Sequence, residues 1–146
     1  MSLHRSGFYL MAALCVFSAP VAVPSKGAAG KAAHAVRRIR FIGGALSAQT
    51  PGVLRGRGAE AFFVVKAAAG QHMLVNLISR TAGFGTAGTV KSPSGKQDGG
   101  PGGVIFNARL SETGDYTIRV APDQMASTQY QGRFILEVVI VPGDRY

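Results

Sequence analysis

Few side chains in this 146-residue sequence have the chemistry to make or break bonds. Cys15 is the only cysteine, and His72 is the only histidine beyond residue 34. A metal site needs several imidazole, thiolate or carboxylate ligands that converge. A Ser-His-Asp arrangement could use only His72, and no serine lies in a GxSxG motif. We therefore expect no metal site, no cofactor and no nucleophilic catalysis, and we interpret His72 as a surface or edge-strand histidine.

Paired carboxylates are the remaining route to catalysis, because acidic groups far apart in the sequence can meet in space. The sequence has seven acidic residues. Four of them lie in or beside turns, where such side chains commonly bond the local backbone: Asp98, Glu112, Asp115 and Asp123. Glu137 lies between apolar residues and is interpreted as the partner of a neighbouring arginine. The pattern favours a protein that binds a macromolecule over an enzyme.

The elements that must position these residues are short strands. Beyond residue 36, apolar runs alternate with glycine-rich turns, and no ten-residue stretch has the helical period. We predict eight strands, at residues 37–43, 52–57, 60–67, 72–79, 85–91, 103–109, 114–121 and 131–141. Strands at this spacing predict an all-β domain over 37–146, an antiparallel β-sandwich or jelly roll.

Alternation of apolar and polar residues predicts which faces are buried. In DYTIRV, Tyr116, Ile118 and Val120 point to one side and Arg119 to the other. The runs AFFVVKA and RFILEVVIV are apolar on both faces, which predicts two central strands. The predicted core comprises the large apolar residues on the inward faces: Phe41, Phe63, Val65, Leu74, Leu77, Phe106, Tyr116, Ile118, Phe134, Leu136 and Val138.

The N-terminal segment has the pattern of a secretory signal peptide. A basic start, MSLHR, precedes the apolar run GFYLMAALCVF and then small residues and prolines. An apolar run of about 11 residues is too short for a bilayer, which needs roughly 20. We predict a signal peptide over 1–25, cleavage between 22 and 35, a flexible linker over 26–36, and a periplasmic or secreted protein without a stable membrane anchor. Lipidation of Cys15 is the alternative, although Leu14 occupies the place of the usual small residue.

The charge of the predicted domain points to acidic partners. From residue 36 onward, 13 basic and 7 acidic residues leave a net charge of +6. Such a surface favours anionic polysaccharide, anionic lipid or an acidic protein cleft. The basic residues are scattered, with no run longer than Arg37-Arg38, which argues against a nucleic-acid partner.

Arginine and tyrosine are enriched at binding hot spots, and five such residues are candidates. Arg55 and Arg57 alternate with other residues, so we expect both to project from one side of a short strand. The other three are Arg119, on the outward side of its strand, and Tyr130 with Arg133 at the start of the last one. The alternative is that these arginines are solvated and keep a sheet edge soluble.

Several segments resemble the periplasmic inhibitors of g-type (goose-type) lysozyme, a family related in fold to bacterial pre-peptidase C-terminal domains. The resemblance spans about residues 37–141. It rests on Ser47-Ala48-Gln49 with Gly52 and Gly56, on Gly70-Gln71, and on Gly114, Tyr116, Arg119 and Val120. The unit TGDYTIRV is shared with the broader pre-peptidase group, so it supports the fold more than the activity.

The resemblance implies an eight-stranded sandwich that inhibits g-type lysozyme stoichiometrically, with loops inserted into the acidic catalytic cleft. By position, the resemblance implies that the contacts come from a loop that carries Ser47-Ala48-Gln49 and from Arg119. Tyr130 and Arg133 are the next residues that it implies. The alternative is a pre-peptidase-like accessory module, without catalytic activity, that binds the cell envelope or its anionic polysaccharide.

Overall fold

Nine strands in two sheets form the part of the chain described by the computed structural model, residues 35–145. The predicted signal peptide, Cys15 and the predicted linker up to residue 34 lie outside the described residues. The strands are β1 (Val36–Arg38), β2 (Ser47–Arg55), β3 (Ala61–Ala67), β4 (His72–Ser79), β5 (Thr86–Lys91), β6 (Gln97–Pro101), β7 (Gly103–Arg109), β8 (Gly114–Pro122) and β9 (Gln131–Val141). The predicted all-β sandwich is confirmed.

The first sheet has the strand order β1-β3-β8-β5-β6, and the second has the order β2-β9-β4-β7. Every pair is antiparallel except β1 with β3. That pair is parallel because the chain crosses to the second sheet for β2 before it returns with β3. β3 and β9 each lie between two neighbours, as their two-sided apolar runs predict. Within residues 35–145, no helix is long and apolar enough to cross a membrane.

The core lies between the sheets and follows the predicted alternation at most positions. Phe63 and Phe134 come from opposite sheets and meet edge to face, with ring centroids 6.2 Å apart. Leu74 is the exception: it faces outward and is half-buried, and Met73, Val75 and Leu77 are the buried residues of β4. The prediction was wrong there because HMLVNLIS is apolar on both faces. Phe41 and Phe106 are partly buried against the core.

Two strands differ from the prediction in extent. β2 begins at Ser47, five residues earlier than expected, and β1 ends at Arg38, five residues earlier than expected.

β6 lies within a segment predicted to be a turn, and its sequence, QDGGP, has little strand propensity. Pairing with β5 makes it a strand: a Cβ at Gly99 would overlap the carbonyl oxygen of Gly88. A glycine that permits so close a backbone approach is visible only in the fold.

The connections between successive strands lie at the two ends of the sandwich. At one end lie the β2–β3 loop (56–60), the β4–β5 loop (80–85) and the β8–β9 loop (123–130), joined by backbone hydrogen bonds from Gly56 to Tyr130 and from Thr128 to Gly83. We call this the Arg57 end. At the other end, Gly70 donates to the carbonyl oxygen of Leu110. We call it the Glu112 end, because Glu112 lies in its β7–β8 loop.

Candidate partner-binding site

Arg57 and Tyr130 form the centre of the Arg57 end. Gly56 has φ +99°, a backbone conformation that favours glycine, and it turns the chain out of β2. Its N–H donates to the carbonyl oxygen of Tyr130 at 2.9 Å. The guanidinium of Arg57 lies over the Tyr130 ring, 4.3 Å from the ring centroid to Cζ. Two loops are therefore joined by backbone and side chain, and an exposed arginine is held at their junction.

The β8–β9 loop is fixed by its own turn and by the β4–β5 loop. Oδ1 of Asp123 accepts hydrogen bonds from the backbone N–H groups of Met125 and Ala126, at 2.9 and 3.3 Å. Thr128 donates from its backbone N–H to the carbonyl oxygen of Gly83 at 2.9 Å. Met125, at the loop tip, is 97% exposed. The loop thus presents a side chain to solvent from a hydrogen-bonded base.

Arg119 lies on the outward face of β8, as predicted, but its guanidinium is engaged within the chain. Nε donates to Oε1 of Glu60 at 3.0 Å, and Nη2 donates to the same oxygen. Glu60 is the last residue before β3 and belongs to the β2–β3 loop. Arg119 therefore holds that loop from the first sheet.

Arg55 and Arg133 project from the outer face of the second sheet. Arg133 pairs with Val53 across the β2–β9 ladder, and Arg55 pairs with Gln131. Both arginines are exposed, and the structure gives neither an ion pair with any described residue. The expectation that Arg55 and Arg57 share one side of a strand was wrong, because β2 ends at Arg55 and Gly56 redirects the chain.

The segment Ser47-Ala48-Gln49 is not in a loop: it is the first part of β2. Ala48 packs inward against the core, while Ser47 and Gln49 are exposed on the outer face of the second sheet. Gln49 lies six residues from Arg55, about 20 Å along the strand. The loop placement was therefore wrong, and the structure does not bring this segment together with Arg57, Tyr130 or Arg119.

The Glu137 carboxylate accepts hydrogen bonds from two side-chain amides and does not pair with the expected arginine. Its Oε1 accepts from Nε2 of Gln49 at 2.9 Å, and its Oε2 accepts from Nδ2 of Asn76 at 3.4 Å. His72, on β4 between two strands, shares a 2.6 Å hydrogen bond with Oδ1 of Asn107. In the described part of the chain, no three His, Cys, Asp or Glu side chains are placed to hold a metal ion.

The Glu112 end is a hydrogen-bonded structural unit. Glu112 accepts from the backbone N–H and the hydroxyl of Ser94, at 2.8 and 2.7 Å, and these bonds lower the pKa of its carboxyl group. The hydroxyl of Tyr116 donates to the carbonyl oxygen of Glu112 at 2.8 Å, the arrangement called a tyrosine corner in sandwich domains. Burial raises the pKa of Tyr116. The turn-strand unit TGDYTIRV thus serves the fold at this end.

Asp115, the first acidic residue of β8, pairs with Arg38 of β1. Two hydrogen bonds, at 3.0 and 2.8 Å, join the guanidinium to both carboxylate oxygens. They lower the pKa of Asp115 and raise that of Arg38. This bidentate pair ties the short edge strand β1 to β8, across β3.

Arg80 was missed by the sequence reasoning. It follows β4 directly, and its N–H donates to the carbonyl oxygen of Arg133 at 2.8 Å. The alternation that places Asn76 and Ile78 on the outer face continues to Arg80, so the signal was present in the sequence. Its position beside a loop obscured that signal.

Solved structures with the same fold include three PliG proteins, described as periplasmic inhibitors of g-type lysozyme. The PliG of Aeromonas hydrophila is 23% identical, with a TM-score of 0.58 over 73% of this chain and 96% of that one. The Salmonella Typhimurium protein is 16% identical, with a TM-score of 0.57 over 73% of this chain and 97% of that one. A mutant of the Escherichia coli protein is 17% identical, with a TM-score of 0.57 over 75% of this chain and 100% of that one.

A pre-peptidase C-terminal domain of a Bacillus anthracis collagenase is also similar, at 18% identity and a TM-score of 0.51 over 72% of this chain and 95% of that one. No protein-family model matches the chain, and no curated protein matches its sequence. At these identities the likenesses show the fold. The resemblance stated from the sequence is thus confirmed as a shared sandwich fold.

Proposed function

We propose that this protein is a periplasmic or secreted, non-catalytic inhibitor of g-type lysozyme, and that the Arg57 end is its contact surface. Its fold is that of three PliG inhibitors, and each aligned region covers at least 96% of the neighbour's chain. The predicted signal peptide agrees with export. The observation that carries the proposed site is the stacked pair of Arg57 and Tyr130 at the junction of two loops.

The chemistry of a glycosidase cleft suits this end of the sandwich. Glycosidases present paired carboxyl groups in the cleft, and a guanidinium is a planar, permanently charged donor that pairs with them. Tyr130 and the Gly56 hydrogen bond restrict Arg57 before binding, so less conformational entropy is lost when a partner contacts it. Arg55 and Arg133 extend the positive surface beside this pair.

The remaining candidates take different roles in the proposal. Arg119 acts through Glu60, by holding the β2–β3 loop that carries Arg57. Ser47 and Gln49 are at least about 20 Å from Arg55 along β2 and lie outside the proposed contact, and the side chain of Ala48 packs inward. The contact set is therefore Arg55, Arg57, Tyr130 and Arg133.

A titration of g-type lysozyme with the purified protein tests the proposal. Residual cleavage of peptidoglycan should fall linearly to an end point at one inhibitor per enzyme. Arg57→Ala should weaken inhibition by about 2 to 4 kcal/mol, the scale of a binding hot spot. Arg40→Ala is the matched control, since it removes an equal charge from an exposed residue of the β1–β2 connection. Equal inhibition constants for the two variants would remove Arg57 from the contact surface.

A pre-peptidase-like module that binds the cell envelope predicts the opposite result. Such a protein would sediment with purified cell walls, dissociate as salt screens its charges, and leave the lysozyme fully active. Lysozyme that keeps its activity at a tenfold excess of the protein would overturn the inhibitor proposal in favour of this one.

A further inference from the structure

A second positive surface lies where the edge strand β2 meets the outer face of the second sheet. A shallow groove of about 680 Å³ crosses β2 at Gly52. Its lining combines three arginines with apolar residues and contains no acidic residue: Arg37, Pro51, Gly52, Val53, Arg80, Arg133, Phe134 and Ile135. We refer to it as the arginine groove.

The arginines of this groove are not neutralised by neighbouring carboxylates. Within residues 35–145, Arg80 and Arg133 have no ion pair, and Arg37 donates to a neutral group, the carbonyl oxygen of Pro51, at 2.8 Å. Arg80 directly follows β4, and its N–H donates to the carbonyl oxygen of Arg133 on the neighbouring strand β9. Opposite positions on one sheet face have Cβ atoms about 5 Å apart, so both side chains start close enough to reach one anion. A phosphate group or a pair of phosphates is the ligand that such a cluster pairs with bidentately.

The apolar residues of the groove indicate which class of anionic ligand fits it. Val53 is 53% exposed, and Pro51 and Ile135 lie beside it in register on the β2–β9 ladder. A headgroup with an attached acyl-glycerol region presents phosphate and apolar surface together. An extended acidic peptide fits less well, because Pro51 has no N–H and its carbonyl oxygen is already bonded to Arg37, which blocks strand addition at this edge.

We infer that the arginine groove binds the headgroups of anionic phospholipids and holds the protein reversibly at a membrane surface. The stacked Arg57–Tyr130 pair does not line the groove, and Arg133 is the one residue of the proposed lysozyme contact set that does. Each arginine that approaches an anionic bilayer strengthens binding about fivefold. The attraction depends on ionic strength, because the Debye length is roughly 8 Å at physiological salt and roughly 3 Å at 1 M.

Vesicle co-sedimentation with the purified protein tests the inference. Vesicles of phosphatidylcholine with phosphatidylglycerol should bind the protein more tightly than vesicles of phosphatidylcholine alone, and 1 M salt should abolish the difference. Arg37→Gln should weaken the phosphatidylglycerol-dependent binding about fivefold, and Arg37→Gln with Arg80→Gln about 25-fold. Arg40→Gln, which lies outside the groove, should leave it unchanged. Thermal melts of each variant confirm that the fold is intact.

The outcomes separate this inference from the proposed function. Arg37→Gln should keep full lysozyme inhibition, because Arg37 lies on β1, outside the Arg57 end and outside the proposed contact set, and Arg57→Ala should keep full vesicle binding. Equal binding to the two kinds of vesicle would overturn the inference, and so would phosphatidylglycerol-dependent binding that survives the double substitution. Loss of vesicle binding to the same degree in Arg40→Gln would show attraction by net charge alone and would likewise overturn it. None of these results bears on lysozyme inhibition.

Discussion

Nε and Nη2 of Arg119 both donate to Oε1 of Glu60, so that β8 is joined to the residue that ends the β2–β3 loop. The resemblance to lysozyme inhibitors implies that Arg119 touches the enzyme. In the structure its charge is already satisfied, while Arg57, three residues before Glu60 on the same loop, projects to solvent. The proposed function therefore assigns Arg119 the role of positioning the loop.

A double-mutant cycle distinguishes positioning from contact. Arg119→Ala and Glu60→Ala should weaken lysozyme inhibition by a similar factor, below about fivefold, because an exposed ion pair contributes about 0.2 to 1 kcal/mol. The double variant should be no weaker than either single variant, since both break the same interaction. Inhibition constants for the four proteins check this. A large loss in Arg119→Ala with no loss in Glu60→Ala would place Arg119 in direct contact with the enzyme.

Gly52 permits the packing of Phe134 beneath β2. A Cβ at this position would overlap the Phe134 ring, which is 1% exposed and meets Phe63 at the centre of the core. Gly52→Ala should therefore lower the free energy of unfolding by about 1 to 3 kcal/mol, the usual cost of overpacking. Gly43→Ala is the control, because no atom lies within 4 Å of its Cβ position. Urea unfolding of both variants measures the difference, and equal midpoints would contradict the packing argument.

The fold could be predicted where one face of a strand is apolar and the other polar. Tyr116, Ile118 and Val120 are buried and Arg119 faces outward, as their alternation in DYTIRV requires. The same reasoning failed for Leu74, because its neighbours are apolar on both faces and either register buries enough surface. It also missed β6, because a strand of glycine, proline and aspartate is made by its pairing with β5 and not by its own propensity.

The candidate site was harder to predict than the fold. Spacing along a strand indicates which residues share a face, so the outward direction of Arg119 could be predicted. It does not tell at which end of a sandwich a segment lies. Ser47 and Arg57 are ten residues apart in the sequence, but the strand between them carries them to opposite ends. The stacking of Arg57 on Tyr130 joins two loops that are distant in the sequence, and no local pattern encodes it.

The tyrosine corner predicts a difference between two tyrosines. The buried hydroxyl of Tyr116 donates to the Glu112 carbonyl oxygen, while the hydroxyl of Tyr130 has no hydrogen bond within residues 35–145. Tyr116→Phe should lower the free energy of unfolding by about 0.5 to 1.5 kcal/mol, the net value of one hydrogen bond. Tyr130→Phe should change it by less than about 0.5 kcal/mol. Equal effects of the two substitutions on urea unfolding would show that the Tyr116 hydrogen bond does not stabilise the fold.

The Glu112 carboxylate predicts how stability changes in acid. The bonds from Ser94 lower its pKa below the ordinary value of 4.5, and Arg38 likewise lowers that of Asp115 below 3.8. A carboxyl group whose pKa is lower in the folded state stabilises that state above its unfolded pKa, and this contribution disappears as the pH falls through the folded pKa. The free energy of unfolding should therefore be level from pH 7 to about 5 and decrease below pH 4.5.

Glu112→Gln tests whether Glu112 contributes to this loss of stability in acid, because glutamine keeps the shape of the side chain but does not titrate. The variant should be less stable than the natural protein at pH 6, and the two should converge as the pH falls through the folded pKa and the natural carboxyl group takes up its proton. Urea unfolding at four or five pH values between 3 and 7 measures the convergence. Parallel curves for the two proteins would show that Glu112 has the same pKa in the folded and unfolded states, contrary to its three hydrogen bonds with Ser92 and Ser94.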